Sequence, residues 1–347
     1  MAPRKASEDS RYIFALILET SLTESLNIAT ISIDIVNVMR TGNHNFDISP
    51  IVDILCDQES YLPVYHGVNF HDVPMPSTAV LGRIVDLLRA VLFPGFFMNT
   101  EVKPETMKYF VGSALDEAAR LLNEQIKLGY CFSCKEEDRA ECLEHESKYR
   151  EIAGRFISTL PHIRTMLSLD AQAAYAGDPA ATSTGEVIFC YPSLMAITNH
   201  RIAHELHKLE VPLIPRIISE MAHSATGIDI HPGAVIGERF FIDHGTGTVI
   251  GETTIIGNNV RLYQGVTLGA RSFAVDESGN LKKGIPRHPI VEDDVVIYSG
   301  ATVLGRITIG KGSQIGGNVW VTEDVPPHSR IVQNKPLPVM FENGSGI

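Results

Sequence analysis

Two patterns of apolar positions divide the chain. From Tyr12 to about Ser224, apolar residues recur every three or four positions, most clearly in 81–93, 107–126 and 149–167. They predict amphipathic helices with Leu121, Leu122, Ile126 and Leu128 among the core positions. Pro63, Pro74, Pro76, Pro94-Gly95, Pro104 and Pro161 punctuate these segments as short connections in a helical bundle would. After Ile228 the helical spacing stops and an aliphatic residue opens every sixth position. The series runs Ile230, Ile236, Ile242; then, two residues late, Ile250, Ile256, Leu262, Leu268; then, after an interruption, Val291, Ile297, Val303, Ile309, Ile315, Val321.

A short strand-and-turn unit repeated in this way buries its apolar side only by stacking on its neighbours. Six residues per side and three sides per turn predict a triangular β-helix, with the opening aliphatics inside and Gly or Asn at the corners. The register breaks twice. A two-residue slip follows Asp243-His244-Gly245-Thr246-Gly247, and 23 positions separate Leu268 from Val291 where six would continue the repeat. A solenoid accommodates such an insertion only as a loop leaving the coil. This one holds Arg271, Lys282, Lys283, Arg287 and His288. The expected organisation is α+β: helices over 1–228, a β-helix over 229–331 with a loop at 270–288, and a tail at 332–347.

Charge sharpens this division. The 347 residues carry a formal charge of −12, yet 229–347 holds 10 basic and 12 acidic residues, so the acidity belongs to the helical half. An acidic chain is a poor tracker of phosphate backbones, which argues against a nucleic-acid partner. The apolar stretches near 12–18 and 90–98 fall short of the ~20 residues a membrane span requires. The first ten residues lack the apolar core of a signal peptide, so the expectation is a cytoplasmic protein without a membrane partner. Five cysteines in a chain of this size do not read as a disulfide framework.

The interruptions carry the chemistry. Asp229-Ile-His-Pro-Gly-Ala, Phe241-Ile-Asp-His-Gly-Thr-Gly, Gly251-Glu-Thr, Leu262-Tyr-Gln-Gly-Val-Thr-Leu-Gly and Arg287-His-Pro resemble the serine O-acetyltransferases, a family of hexapeptide-repeat acyltransferases. The resemblance reaches into the helical half through Asp170-Ala-Gln-Ala-Ala-Tyr-Ala-Gly-Asp178-Pro and His200-Arg-Ile-Ala-His204. It implies a left-handed parallel β-helix, an activity that moves acetyl from acetyl-CoA to the L-serine hydroxyl (EC 2.3.1.30 type) as the first step of cysteine biosynthesis, and assembly as a trimer or a dimer of trimers.

The same resemblance implies the site. His244 and Asp229 match the catalytic dyad. An imidazole with pKa near ~6.5 suits removal of a hydroxyl proton, and a carboxylate 15 positions earlier, close to one coil away, can orient it. Arg287 and His288 match the positions that hold the serine carboxylate, Asp178 and Asp243 those that receive its ammonium, and Glu252 an acidic position nearby. Gly269, Ala270, Ser299, Gly300, Gly316 and Gly317 supply small residues for the CoA arm. This chain has Ala270 where family members often have Gly, and its loop is of the extended kind. No cysteine falls in the motif region, so no thiol is placed to carry acetyl.

Other readings keep the fold and change the chemistry. They are an acetyltransferase for another hydroxyl or amine, a γ-type carbonic anhydrase with zinc on His231, His244 and His288, or a non-catalytic scaffold. The acidic and basic pairs suit a zwitterion and favour serine. Separately, Cys131-x-x-Cys134 and Cys142-x-x-His145 have the spacing of a structural zinc site. His200 and His204, at i and i+4, read as helix packing. The resemblance further implies that a C-terminal isoleucine, here Ile347, docks an O-acetylserine sulfhydrylase.

Overall fold

The computed structural model describes residues 48–64, 73–98, 101–134, 146–272, 276 and 278–333. By compactness the chain forms two units, 1–67 and 68–347. In the first lie α1 (Ser49–Leu55) and α2 (Gln58–Tyr61), the latter capped by Asp57, whose carboxylate accepts from the Glu59 N–H at 3.1 Å.

The second unit begins with α3 (Thr78–Leu92), α4 (Met107–Ser133), α5 (Glu146–Gly177), α6 (Thr184–Cys190), α7 (Pro192–Lys208) and α8 (Ile214–Thr226). The three segments with clearest helical spacing lie essentially in α3, α4 and α5, with Phe93 serving as the C-cap of α3. Ser77 caps α3 by accepting from the Val80 N–H, which satisfies one of the donors a helix start leaves open. Leu81, Ile84 and Leu88, on one face at spacings of three and four, are buried with Leu122 and Ile126 of α4. Leu121 is half-buried and packs on the edge of this core.

The repeat then winds through three parallel sheets. The first contains β1 (Asp229–Ile230), β4 (Val249–Ile250), β7 (Thr267–Gly269), β10 (Thr302–Leu304) and β13 (Trp320–Val321). The second contains β2 (Val235–Ile236), β5 (Ile255–Ile256), β8 (Ile290–Val291) and β11 (Thr308–Ile309). The third contains β3 (Phe241–Asp243), β6 (Arg261–Tyr263), β9 (Val296–Ile297), β12 (Gln314–Ile315) and β14 (Arg330–Ile331). Register stacks Ile230, Ile250, Leu268, Val303 and Val321 in one column, and the other repeat-opening residues fall in two more. All thirteen predicted positions are thus interior. The insertion leaves the coil between β7 and β8, and β8 resumes on β5 with Ile290 opposite Ile255.

Helices and β-helix share one apolar core, so the change of pattern at 228 marks a change of secondary structure within a compact unit. Their polar joint is a buried ion pair. Asp170 of α5 receives Arg201 of α7 at 2.7 and 3.0 Å and the Phe240 N–H at 2.9 Å, while Arg201 also donates to the carbonyls of Ile236 and Gly237. Two helices and the entrance to β3 therefore meet at one guanidinium.

Candidate active site

The slip after β3 forms a corner that stacks on the end of α8. The helix stops at Gly227, whose φ of +70° suits glycine, and the Gly247 N–H donates to the Gly227 carbonyl at 2.8 Å. Immediately beyond, Asp229 enters β1 by donating its N–H to the Thr248 carbonyl. His244 sits one coil above, at the same corner as Asp229, on a left-handed backbone with φ +56° and a side chain 75% exposed. Its Nε2 lies 3.8 Å from Asp243 Oδ1. Asp229 also clusters with Glu220 and His223 of α8.

Asp178 joins this group from just past α5. Its Oδ2 accepts from the Tyr191 hydroxyl at 2.5 Å and its Oδ1 from the Ala180 N–H at 2.8 Å. These two bonds hold the Asp178 carboxyl below the usual carboxylate range, aided by the fields of His244 and Arg261. The same bond pushes the Tyr191 phenol up to about 12, so it stays a donor at neutral pH. Asp178, Tyr191, Asp243 and His244 form an acidic rim around an exposed imidazole.

Arg287, His288 and Glu252 gather at a different corner, where the long loop rejoins the coil. The His288 ring lies over Gly251, where no β-carbon fits, and its Nδ1 accepts from the Thr253 N–H at 3.1 Å. That bond leaves the ring proton on Nε2 as a donor. Burial, then Arg287, lowers the His288 pKa and favours the neutral ring. Arg287 meets Glu252 at 2.6 Å, and Arg306 ties the corner by donating to the carbonyls of Thr253 and His288. Thr253 Oγ1 accepts from the N–H groups of both Arg287 and His288. Glu252 therefore acts on Arg287, and β4 lies between this corner and His244.

His231 stands near the second group, its Nδ1 accepting from the Gly233 N–H at 3.0 Å. Burial, then Arg216, depresses its pKa to about 4. A histidine depressed in the fold binds fewer protons native than unfolded, so stability falls as pH drops from about 6.5 to about 4. His231 contributes at most about 3 kcal/mol of that loss. Urea unfolding at stepped pH should show the decline, and His231→Asn, which keeps an acceptor for Gly233, should flatten it. An unchanged slope would assign the loss to other groups, such as the fully buried His200.

No protein-family model matches the chain. Among curated proteins, a plasmid-encoded serine acetyltransferase of Synechococcus elongatus is 52% identical over 288 residues, covering 82% of this chain and 89% of that protein. The chain belongs to the serine acetyltransferase family. The Bacillus subtilis serine acetyltransferase is 49% identical over 182 residues, or 52% of this chain and 79% of that protein. The crystal structure of Entamoeba histolytica serine acetyltransferase isoform 3 in complex with cysteine superposes with a TM-score of 0.64 at 34% identity, covering 82% of this chain and 92% of that one.

The small residues expected along the CoA arm of a serine acetyltransferase divide between corners. Along the edge of the coil that carries His244, Gly265 lies one coil on, Ser299 and Gly300 two, and Gly316 and Gly317 three. Gly269 and Ala270 lie at the other end of the first sheet, where the loop departs. In the helical part, Cys131 is buried at the end of α4 and Cys134 is its C-cap, while Cys142 and His145 lie outside the described residues. Spacing in sequence did not point to Tyr191, Thr253 or Arg306. Each acts through a bond to a residue far along the chain, and no local repeat marks such a partner.

Proposed function

We propose that His244 is the general base for acetylation of serine, with Asp229 as its orienting carboxylate. The observation that carries this reading is the stacking of the His244 corner on Gly227, directly before Asp229. The enzyme acetylates serine, and serine acetyltransferases use acetyl-CoA as co-substrate. As the imidazole takes the hydroxyl proton, Oγ bonds to the thioester carbonyl carbon. Collapse of the tetrahedral adduct breaks the C–S bond, and the imidazolium returns its proton to the departing sulfur. All five cysteines precede residue 229, which fits direct transfer without an acetyl-enzyme.

Serine presents an ammonium and a carboxylate. Asp178 and Asp243 suit the first; the Arg287 guanidinium and the His288 Nε2–H suit the second. Within one chain these sets stand at different corners of the coil, which supports a trimer whose sites draw on two subunits. The small residues at the two ends of the first sheet would then flank the CoA arm from different subunits. A cytoplasmic setting and a sulfhydrylase contact at Ile347, outside the described residues, belong to the same proposal. No helix among the described residues is long and apolar enough to cross a membrane. The zinc quartet at Cys131, Cys134, Cys142 and His145 gains no support.

CoA release measured with serine, homoserine, threonine and glucosamine tests the substrate. Serine should be preferred, and release with another acceptor but none with serine would overturn the reading. Tyr191→Phe tests the ammonium subsite. Losing a hydrogen bond to a charged carboxylate is worth ~1.5–3 kcal/mol, so KM for serine should rise about tenfold or more with kcat nearly unchanged. An equal fall in kcat with KM constant would place Tyr191 in the chemical step instead.

A further inference from the structure

A second charged site lies on the third sheet, away from both corners just described. A cleft of about 210 Å³ opens between Ala173 of α5 and the outer face of β3, β6 and β9. Its polar lining is Arg239, Arg261, Asn259 and Asp294. Among the described residues, neither arginine side chain forms an ion pair or a hydrogen bond; Arg261 lies 5.6 Å from the Phe241 ring centroid and packs on Gly177. The carboxylate is already engaged, with Asn259 Nδ2 at 2.9 Å and Lys311 Nζ at 3.5 Å. The cleft thus offers two guanidiniums without a hydrogen-bonded partner, beside a carboxylate that shares Lys311 with Asp293.

The backbone marks one of these arginines as unusual. Successive coils place Arg239, Asn259, Asp294 and Gly312 at the same corner, all left-handed with φ of +58°, +56°, +61° and +68°. Gly, Asn and Asp are the residues that tolerate this conformation. An arginine there is strained, and the corners stacked on it hold it in place. On the next coil, Arg261 stands opposite Phe241 in register, two residues along from Arg239.

We propose that Arg239 and Arg261 form a binding site for a tetrahedral oxyanion such as inorganic phosphate or sulfate. Planar guanidiniums bind such oxygens through paired N–H donors, and half-burial strengthens each contact. Arg261 is also a cation whose field reaches Asp178. If Asp178 receives the serine ammonium, as read above, an anion on Arg261 relieves repulsion of that ammonium and tightens serine binding.

Inorganic phosphate titrated into the full-length protein, by calorimetry and thermal melting against chloride of equal ionic strength, tests the site. Wild type should bind saturably, with a phosphate-dependent rise in melting temperature. Arg239→Asn should melt higher than wild type without phosphate, because asparagine suits the left-handed corner, yet bind phosphate at least tenfold more weakly. Arg261→Thr should lose the response too. Absence of saturable binding, or undiminished binding in both variants, would overturn the site. Saturating CoA should leave phosphate binding intact; displacement by CoA but not by its 3′-dephospho form would overturn the free-ion assignment in favour of the co-substrate's phosphate. Phosphate should lower KM for serine two- to threefold in wild type and not in Arg239→Asn. Saturable binding with an unchanged KM would overturn the link to Asp178 separately from the site.

Discussion

His244→Asn lowers kcat for serine acetylation by about 10²- to 10⁴-fold, the range expected for loss of a general base. Asparagine is the informative replacement because His244 has φ +56° and a side chain 75% exposed. Asparagine accepts that backbone readily and fills no core, so the melting temperature should hold while turnover collapses. CoA release under saturating serine measures the effect, and serine binding by calorimetry should change little. A variant retaining a tenth or more of wild-type kcat would move the base elsewhere. Asp229→Asn should follow in the same direction with a smaller loss, since a neutral amide can hold the ring without stabilising the imidazolium.

Asp170→Ala removes about 3–5 kcal/mol of stability, the largest effect expected from a change outside the site. Asp170 is 1% exposed and Arg201 7%, so deletion of the carboxylate leaves a buried guanidinium without its counter-ion. It also leaves the Phe240 N–H without its acceptor. A shift in the urea midpoint with unchanged slope would report the loss. The pair Asp170→Leu with Arg201→Met should be far less destabilised than the sum of the single changes, because both charges go together. A loss below about 1 kcal/mol in Asp170→Ala would mean that apolar contacts alone hold α5 and α7 on the first coil.

Much of this molecule was legible in residue order. A β-helix repeats one local solution, so every sixth residue meets the same environment and the chain must display that period. The opening aliphatics of the hexads occupy the three interior columns, and the two breaks became the His244 corner and the long loop. The helical segments were visible for the same reason, their ends less so. The extension of α5 to Gly177 brings Asp178 beside Tyr191, and nothing in the spacing of 149–167 required it.

Histidine and aspartate in the first break, and arginine with histidine closing the second, named the chemistry because a family motif is itself a local pattern. Their separation by β4 was not visible. Neither was the Tyr191 bond to Asp178, the clamp of Thr253 and Arg306 on the Arg287–His288 corner, or the Asp170–Arg201 joint. The pairing of Glu252, which matches an acidic family position, with Arg287 was not visible either. Each of these contacts joins residues whose distance in sequence bears no relation to the period of either element.

Coil geometry and interior composition therefore follow from short-range repetition, which amino-acid order records directly. The placement of the Asp178–His244 and Arg287–His288 groups at different corners, and of Arg239 with Arg261 beneath α5, follows from how many residues each turn consumes and where the helices dock. Those quantities are settled only when apolar columns stack and buried charges find their partners across the fold.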